Sequence, residues 1–106
     1  MRAGMQLGRF TDASALQSRV LPFLLRREAE HNLILGIIAA IASGSEWRDP
    51  PPYLALVEAD GQTAAVAVMT PPHNLLLSHT DCPEAVPLLV EELLKSSYAV
   101  PGVTGS

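Results

Sequence analysis

The sequence is poor in several residue types, and each shortage excludes a class of protein. Its single cysteine, Cys82, has no partner for an internal disulfide, which is typical of a reducing compartment. The seven lysines and arginines are scattered among eleven acidic residues, and only Arg26 and Arg27 are adjacent. Because nucleic-acid binding needs clustered basic residues, we expect no nucleic-acid partner.

Long apolar runs are also missing. The longest, residues 33–42, is about half of the ~20 residues that a membrane-spanning helix needs. The first ten residues lack the apolar core of a signal peptide. We therefore expect no membrane partner and a cytoplasmic protein.

Aliphatic residues are abundant. Hydrophobic residues make up 48% of the 106 positions and aromatic residues only 5%, so Leu, Ile, Val and Ala must form the core. A chain of this length forms one domain. Its high apolar content predicts a surface that meets a partner, either a second copy in a homodimer or a missing domain.

Periodicity and turn residues predict seven elements in the order β-α-α-β-β-β-α. The predicted elements are a strand at 5–10, helices at 13–27 and 28–43, strands at 53–58, 62–70 and 74–78, and a helix at 83–97. Residues 97–106 are expected to be a tail or a truncated linker. The predicted fold class is α+β, a single domain with an antiparallel sheet packed against helices.

Local signals refine the helices. Thr11 or Asp12 is expected to cap the first helix, and Pro22 to kink or restart it. The second helix is apolar on every face, and Gly36 within it predicts a close approach of another element. In the last helix, a capping box of Asp81 and Glu84 is expected at the start, and the acidic pair at 91–92 is expected to face water.

Three segments resemble a known family. Residues 23–38 (FLLRREAEHNLILGII), 51–78 (PPYLALVEADGQTAAVAVMTPPHNLLLS) and 101–105 (PGVTG) resemble the N-terminal half of predicted GNAT-family N-acetyltransferases. The similarity covers nearly all of this chain but only about the first half of such a protein. The resemblance implies a GNAT-like half fold, with an acetyl-CoA-dependent C-terminal GNAT domain following in longer relatives.

A GNAT enzyme holds the pyrophosphate of acetyl-CoA in a loop of the form Arg/Gln-x-x-Gly-x-Gly/Ala that opens a helix. The equivalent turn here, residues 79–84 (HTDCPE), has no glycine. Pro83 removes a backbone donor, and Asp81 and Glu84 would repel phosphate. We therefore expect no cofactor for this chain alone; acetyl-CoA enters only if a catalytic half is present.

Candidate site residues are few. Where the resemblance implies the acceptor-substrate side, Glu30 or His31 is a candidate general base; the alternative is that both only stabilise a helix N-terminus. No metal site is expected, because the spacing of His79, Asp81 and Cys82 matches no standard zinc pattern. The candidates for substrate binding are Asn32, Trp47, Tyr53, His73 and Asn74. The structural alternatives are that Asn32 caps a helix, that Trp47 and Tyr53 pack the loop onto the sheet, and that His73 and Asn74 form a turn.

Three functions are consistent with these features. The first is the half of a GNAT acetyltransferase that does not bind the cofactor, shaping or covering an acceptor site or pairing with another copy. The second is a stand-alone module for small-ligand binding or dimerisation, without acetyl transfer. The third is an independent enzyme that uses Cys82 or His31.

Overall fold

The computed structural model describes residues 4–44, 51–70, 73–96, 98 and 100–104. Within these ranges the chain forms three helices and one five-stranded sheet, so the general α+β class is confirmed. The elements in chain order are β1 (Met5–Phe10), α1 (Ala13–Leu25), α2 (Asn32–Ala42), β2 (Tyr53–Ala59), β3 (Gln62–Met69), β4 (Leu75–Leu77), α3 (Ala85–Lys95) and β5 (Val103–Thr104).

The strands lie in the order β1-β2-β3-β4-β5. The first four are antiparallel, but β5 pairs parallel with β4, through Leu75 with Val103 and Leu76 with Thr104. The expectation of a wholly antiparallel sheet is therefore wrong. The sheet is mixed because α3 provides the crossover that a parallel pair requires. At two residues, β5 is too short for a strand pattern to be recognised in the sequence.

Helices cover both faces of the sheet, which makes three layers. Alternate side chains of a strand point to opposite faces, so β2 and β3 contribute to two separate cores. The core under α1 and α2 receives Leu54, Leu56, Val66, Val68 and Leu76. The core under α3 receives Tyr53, Ala55, Val57, Ala65, Ala67, Met69 and Leu75.

Helix α1 begins as predicted, with the Asp12 carboxylate accepting a hydrogen bond from the Ser14 amide at 2.9 Å. The helix is not restarted at Pro22 but continues to Leu25. Pro22 is exposed, so the carbonyl left without its helical donor can bond to water instead.

Helix α2 begins at Asn32, four residues after the predicted start at Glu28, because the preceding segment forms turns. Its buried face is narrow and consists of Ile34 and Ile38, whereas Leu33 is 59% exposed. The predicted close approach at Gly36 is wrong: a Cβ atom added there would have no neighbour within 4 Å in the described part of the chain.

The β2–β3 hairpin turns at Asp60 and Gly61, whose φ angles of 53° and 80° are those of a primed turn; Asp-Gly between two apolar segments is a sequence signal for such a hairpin. The capping box predicted for α3 is absent, since Glu84 is the cap residue and makes no side-chain bond to the helix. None of the helices in the described ranges combines the length and the apolarity needed to cross a bilayer.

Candidate functional site

A groove runs between α2 and the edge of the sheet formed by β4 and β5. Its volume is about 540 Å³, within the range of small-molecule sites. The groove is lined by Leu33, Ile37, Thr70, His73, Asn74, Leu76 and Thr104. Two of the predicted substrate-binding residues, His73 and Asn74, are thus brought together against the apolar side of α2.

The polar end of this groove is formed by the segment between β3 and β4. The His73 amide donates to the Thr70 carbonyl at 2.9 Å, which closes the turn. The Asn74 side-chain amide donates to Thr104 Oγ1 at 3.4 Å, and the Leu75 amide donates to the Gly102 carbonyl at 2.9 Å. Chain segments far apart in sequence therefore fix the position of Asn74.

Thr70, like Thr104, is a polar residue of the groove that sequence reasoning missed. It is only 8% exposed, and no hydrogen bond of its hydroxyl to any part of the chain that the structure describes is observed. A sequence signal was present, because Thr70 is the polar residue that ends an apolar strand before two prolines. That signal alone does not distinguish a site residue from the end of a strand.

The other predicted candidates lie elsewhere. Asn32 is exposed at the first position of α2, outside the groove lining. Glu30 is also exposed and accepts a hydrogen bond from Arg27 at 3.1 Å. Trp47 lies outside the described residues.

His31 is buried at 1% exposure, and both of its ring nitrogens make hydrogen bonds. Nδ1 lies 2.9 Å from the Leu24 carbonyl oxygen, and Nε2 lies 3.0 Å from the His79 amide nitrogen. A carbonyl can only accept and an amide can only donate, so the proton is on Nδ1 and Nε2 is the acceptor. His31 thereby joins the end of α1 to the turn before α3, an arrangement that favours its structural role over that of a general base.

Several backbone amides at the turn between β4 and α3 are engaged within the chain. The His79 amide donates to His31, the Cys82 amide donates to Thr80 Oγ1 at 3.0 Å, and Pro83 has no amide hydrogen. The Ala85 amide donates to the Cys82 carbonyl at 2.9 Å. These backbone donors are therefore not available to cradle a pyrophosphate.

The charge of the same turn is negative. Asp81 is exposed, and its carboxylate lies 2.9 Å from Nε2 of His79. This hydrogen bond and the charge of His79 lower the pKa of Asp81, which keeps the carboxylate ionised. The Asp81 side chain is thus engaged with His79 and does not cap α3. A second carboxylate, Glu84, also lies at the start of this helix.

Tyr53 lies on the opposite face of the sheet from the groove, in the core under α3. Its hydroxyl donates to Glu92 at 2.5 Å, and the guanidinium of Arg9 lies 4.2 Å from the centre of its ring. Arg9 also donates to Glu92 at 3.2 Å, and Tyr98 packs edge-on against Tyr53. Burial, reinforced by Glu92, raises the pKa of Tyr53 well above its ordinary value. Glu92 was expected to face water, but it is the acceptor at the centre of this cluster.

In the described ranges, no three His, Cys, Asp or Glu side chains come close enough to hold a metal ion. Comparison of the chain with protein-family models, with curated proteins and with solved structures finds no match.

Proposed function

We propose that this chain is the acceptor-side half of a GNAT-like acetyltransferase scaffold, that it has no cofactor site of its own, and that its groove holds a small molecule. The observation that carries the proposal is the contrast between two regions at the end of the sheet. The groove between α2 and β4–β5 has polar groups facing a cavity of about 540 Å³. The turn that would have to bind pyrophosphate contains two carboxylates and a proline, and two of its amides already donate within the chain.

Two further features support this assignment. The element order from β1 to α3 is the β-α-α-β-β-β-α order that the family resemblance implies. Helix α2, which the resemblance assigns to the acceptor-substrate side, supplies the apolar wall of the groove through Leu33 and Ile37. The role of this chain is then to shape or cover an acceptor site, while acetyl-CoA binds to a catalytic half.

Calorimetry with acetyl-CoA tests the proposal directly. We expect no measurable binding at micromolar concentrations, because Asp81 and Glu84 repel phosphate, Pro83 has no amide hydrogen, and two of the turn amides are already bonded. The matched variant replaces both carboxylates, D81N with E84Q, to remove the repulsion and leave the internal bonds of the amides. Micromolar binding by the unaltered chain would refute the proposal; binding by the variant alone would show that charge is the barrier.

Pairing with another copy is a second candidate, favoured by exposed apolar side chains beside the sheet edge. Leu33 is 59% exposed and Val103 in β5 is 58% exposed. An edge strand also has backbone groups that a further strand can pair with. Light scattering at high micromolar concentration is expected to give the mass of a homodimer, and V103K is expected to shift it toward the monomer. A monomeric mass for the unaltered chain would contradict this candidate.

A further inference from the structure

Among the residues that the structure describes, none that lines the groove carries a fixed charge. Its polar residues are Thr70, His73, Asn74 and Thr104, and the remaining ones are aliphatic. An ammonium or a carboxylate that enters such a groove loses hydration and meets no lysine, arginine, aspartate or glutamate in the lining. The lining therefore favours a ligand whose polar group is uncharged.

The Thr70 hydroxyl supplies the most informative constraint. Its residue is 8% exposed and lines the groove, while no partner for the hydroxyl exists in the described segments. Buried polar groups normally have a hydrogen-bonding partner, and leaving one without a partner costs about 1–3 kcal/mol. A ligand with a carbonyl group would accept a bond from this hydroxyl.

Asn74 offers the complementary group. Its side-chain Nδ2 is engaged with Thr104 Oγ1, which leaves Oδ1 as an acceptor. An acceptor of this kind suits an N–H group on the ligand. Thr70 and Asn74 both line the groove, and an amide is a ligand group that offers a carbonyl to the first and an N–H to the second.

The opposite wall is aliphatic, formed by Leu33, Ile37 and Leu76. We propose that the groove binds an uncharged amide with a short branched aliphatic chain, its carbonyl bonded to Thr70 and its N–H to Asn74. This inference rests on the proposed function, because it takes the groove as the acceptor-side site. It adds the chemical class of the group that the groove recognises, which is distinct from the nucleophilic amine of an acetyl acceptor because an amide nitrogen is not nucleophilic.

Three probes with the same carbon skeleton test this inference: 3-methylbutanamide, 3-methylbutanoate and 3-methylbutylammonium. Each is titrated into the ¹⁵N-labelled full chain at neutral pH, and amide shifts are followed by NMR. We expect the neutral amide to bind in the millimolar range and to shift signals of Leu33, Ile37 and Asn74. We expect each ion to bind at least about tenfold more weakly, because its desolvation is uncompensated.

Substitutions at Thr70 separate ligand binding from folding. T70V removes the hydroxyl and should weaken binding of the amide about tenfold, the effect of one lost hydrogen bond. T70S keeps the hydroxyl and should retain binding. T63V is the matched control, since Thr63 lies at the other end of β3, outside the groove.

Stability provides a second readout. A hydroxyl that only stabilised the fold would make T70V less stable, whereas a hydroxyl that binds ligand would not. Because the Thr70 hydroxyl has no described partner in the chain, T70V should leave the urea midpoint unchanged or raise it. A lower midpoint for T70V would show that the hydroxyl stabilises the fold and would overturn the inference. Equal or tighter binding of either ion, shifts outside the groove, or no binding of the amide would also overturn it.

The two proposals fail in different experiments. If the amide does not bind and acetyl-CoA does not bind either, only the ligand class is refuted. If acetyl-CoA binds to the unaltered chain, the proposed function is refuted, whatever the amide does.

Discussion

Replacing His31 by leucine should be among the most destabilising single substitutions in this chain. Leucine is apolar and of similar size, so it keeps contact with Phe23, whose ring is stacked 6.0 Å from that of His31. It leaves the Leu24 carbonyl and the His79 amide without their partner. The substitution therefore tests two hydrogen bonds with little change in apolar volume.

The size of the effect follows from burial. An orphaned buried polar group costs about 1–3 kcal/mol. The bond to Leu24 is buried and the bond from His79 is partly buried, so the sum should be about 2–4 kcal/mol. That is a large share of the ~5–15 kcal/mol by which a domain of this kind is stable.

Urea unfolding of four variants measures the effect and separates the two bonds. H31N places a side-chain amide near the position of Nδ1 and should keep the bond to Leu24, whereas H31Q places one near Nε2 and should keep the bond to His79. Each should lose about half as much free energy as H31L. H73L, at an exposed histidine, is the control and should change stability by less than about 0.5 kcal/mol.

Hydrogen exchange at the His79 amide gives an independent check. Exchange should be faster in H31L and H31N, which lack the acceptor for the His79 amide, than in H31Q, which keeps it. A loss of less than about 1 kcal/mol in H31L, or unchanged exchange at His79, would refute the argument that His31 stabilises the turn before α3.

Three further substitutions test other parts of the structure. G36A should raise the free energy of unfolding by about 1 kcal/mol, because the position is helical, exposed and has room for a Cβ atom; a loss would mean that α2 is covered at this point. G61A should instead lower it by about 1 kcal/mol or more, since the φ angle of 80° strains any residue with a side chain. The pKa of Tyr53 is raised in the folded state. The stabilisation by its protonated hydroxyl is therefore complete below about pH 10, the ordinary tyrosine pKa, and is lost as the pH rises above that value. Y53F should therefore flatten the fall in stability between about pH 9 and 11, and an equal slope in both proteins would contradict this assignment.

Elements with a strong local signal were predictable from the sequence. The hairpin at Asp60-Gly61 needs two residues that tolerate positive φ, and few sequences other than Asn-Gly or Asp-Gly supply them. The cap at Asp12 likewise depends only on nearby atoms. In both cases the side chain and the backbone that it stabilises are adjacent in sequence.

The features that were missed depend on contacts between distant segments. Glu92 follows the pattern of a solvent-facing helix residue, but Arg9 and Tyr53, both far away in sequence, make it an acceptor. The start of α2 was placed four residues early because Glu28 and Glu30 suit a helix N-terminus. The bonds of His31 to Leu24 and His79 place the true start at Asn32, and no local pattern encodes them.

The groove residues fall between these two cases. His73 and Asn74 were candidates because polar residues between two apolar strands are exposed to possible ligands, and both do line the groove. Thr104 could not be assigned, because its position depends on the parallel pairing of β5 with β4. The sequence thus indicated part of the polar end of the groove, His73 and Asn74, but not Thr104, which bonds to Asn74.

The two faces of the sheet differ in what they can offer a ligand. On the α3 face, the polar groups bond to one another: Tyr53 and Arg9 both donate to Glu92, and the Tyr98 hydroxyl donates to the Pro51 carbonyl at 2.7 Å. A ligand that entered there would have to break these bonds and would gain little. On the α2 face, the Thr70 hydroxyl has no bond to break within the described ranges. This difference in hydrogen bonding is why we propose the groove as the site.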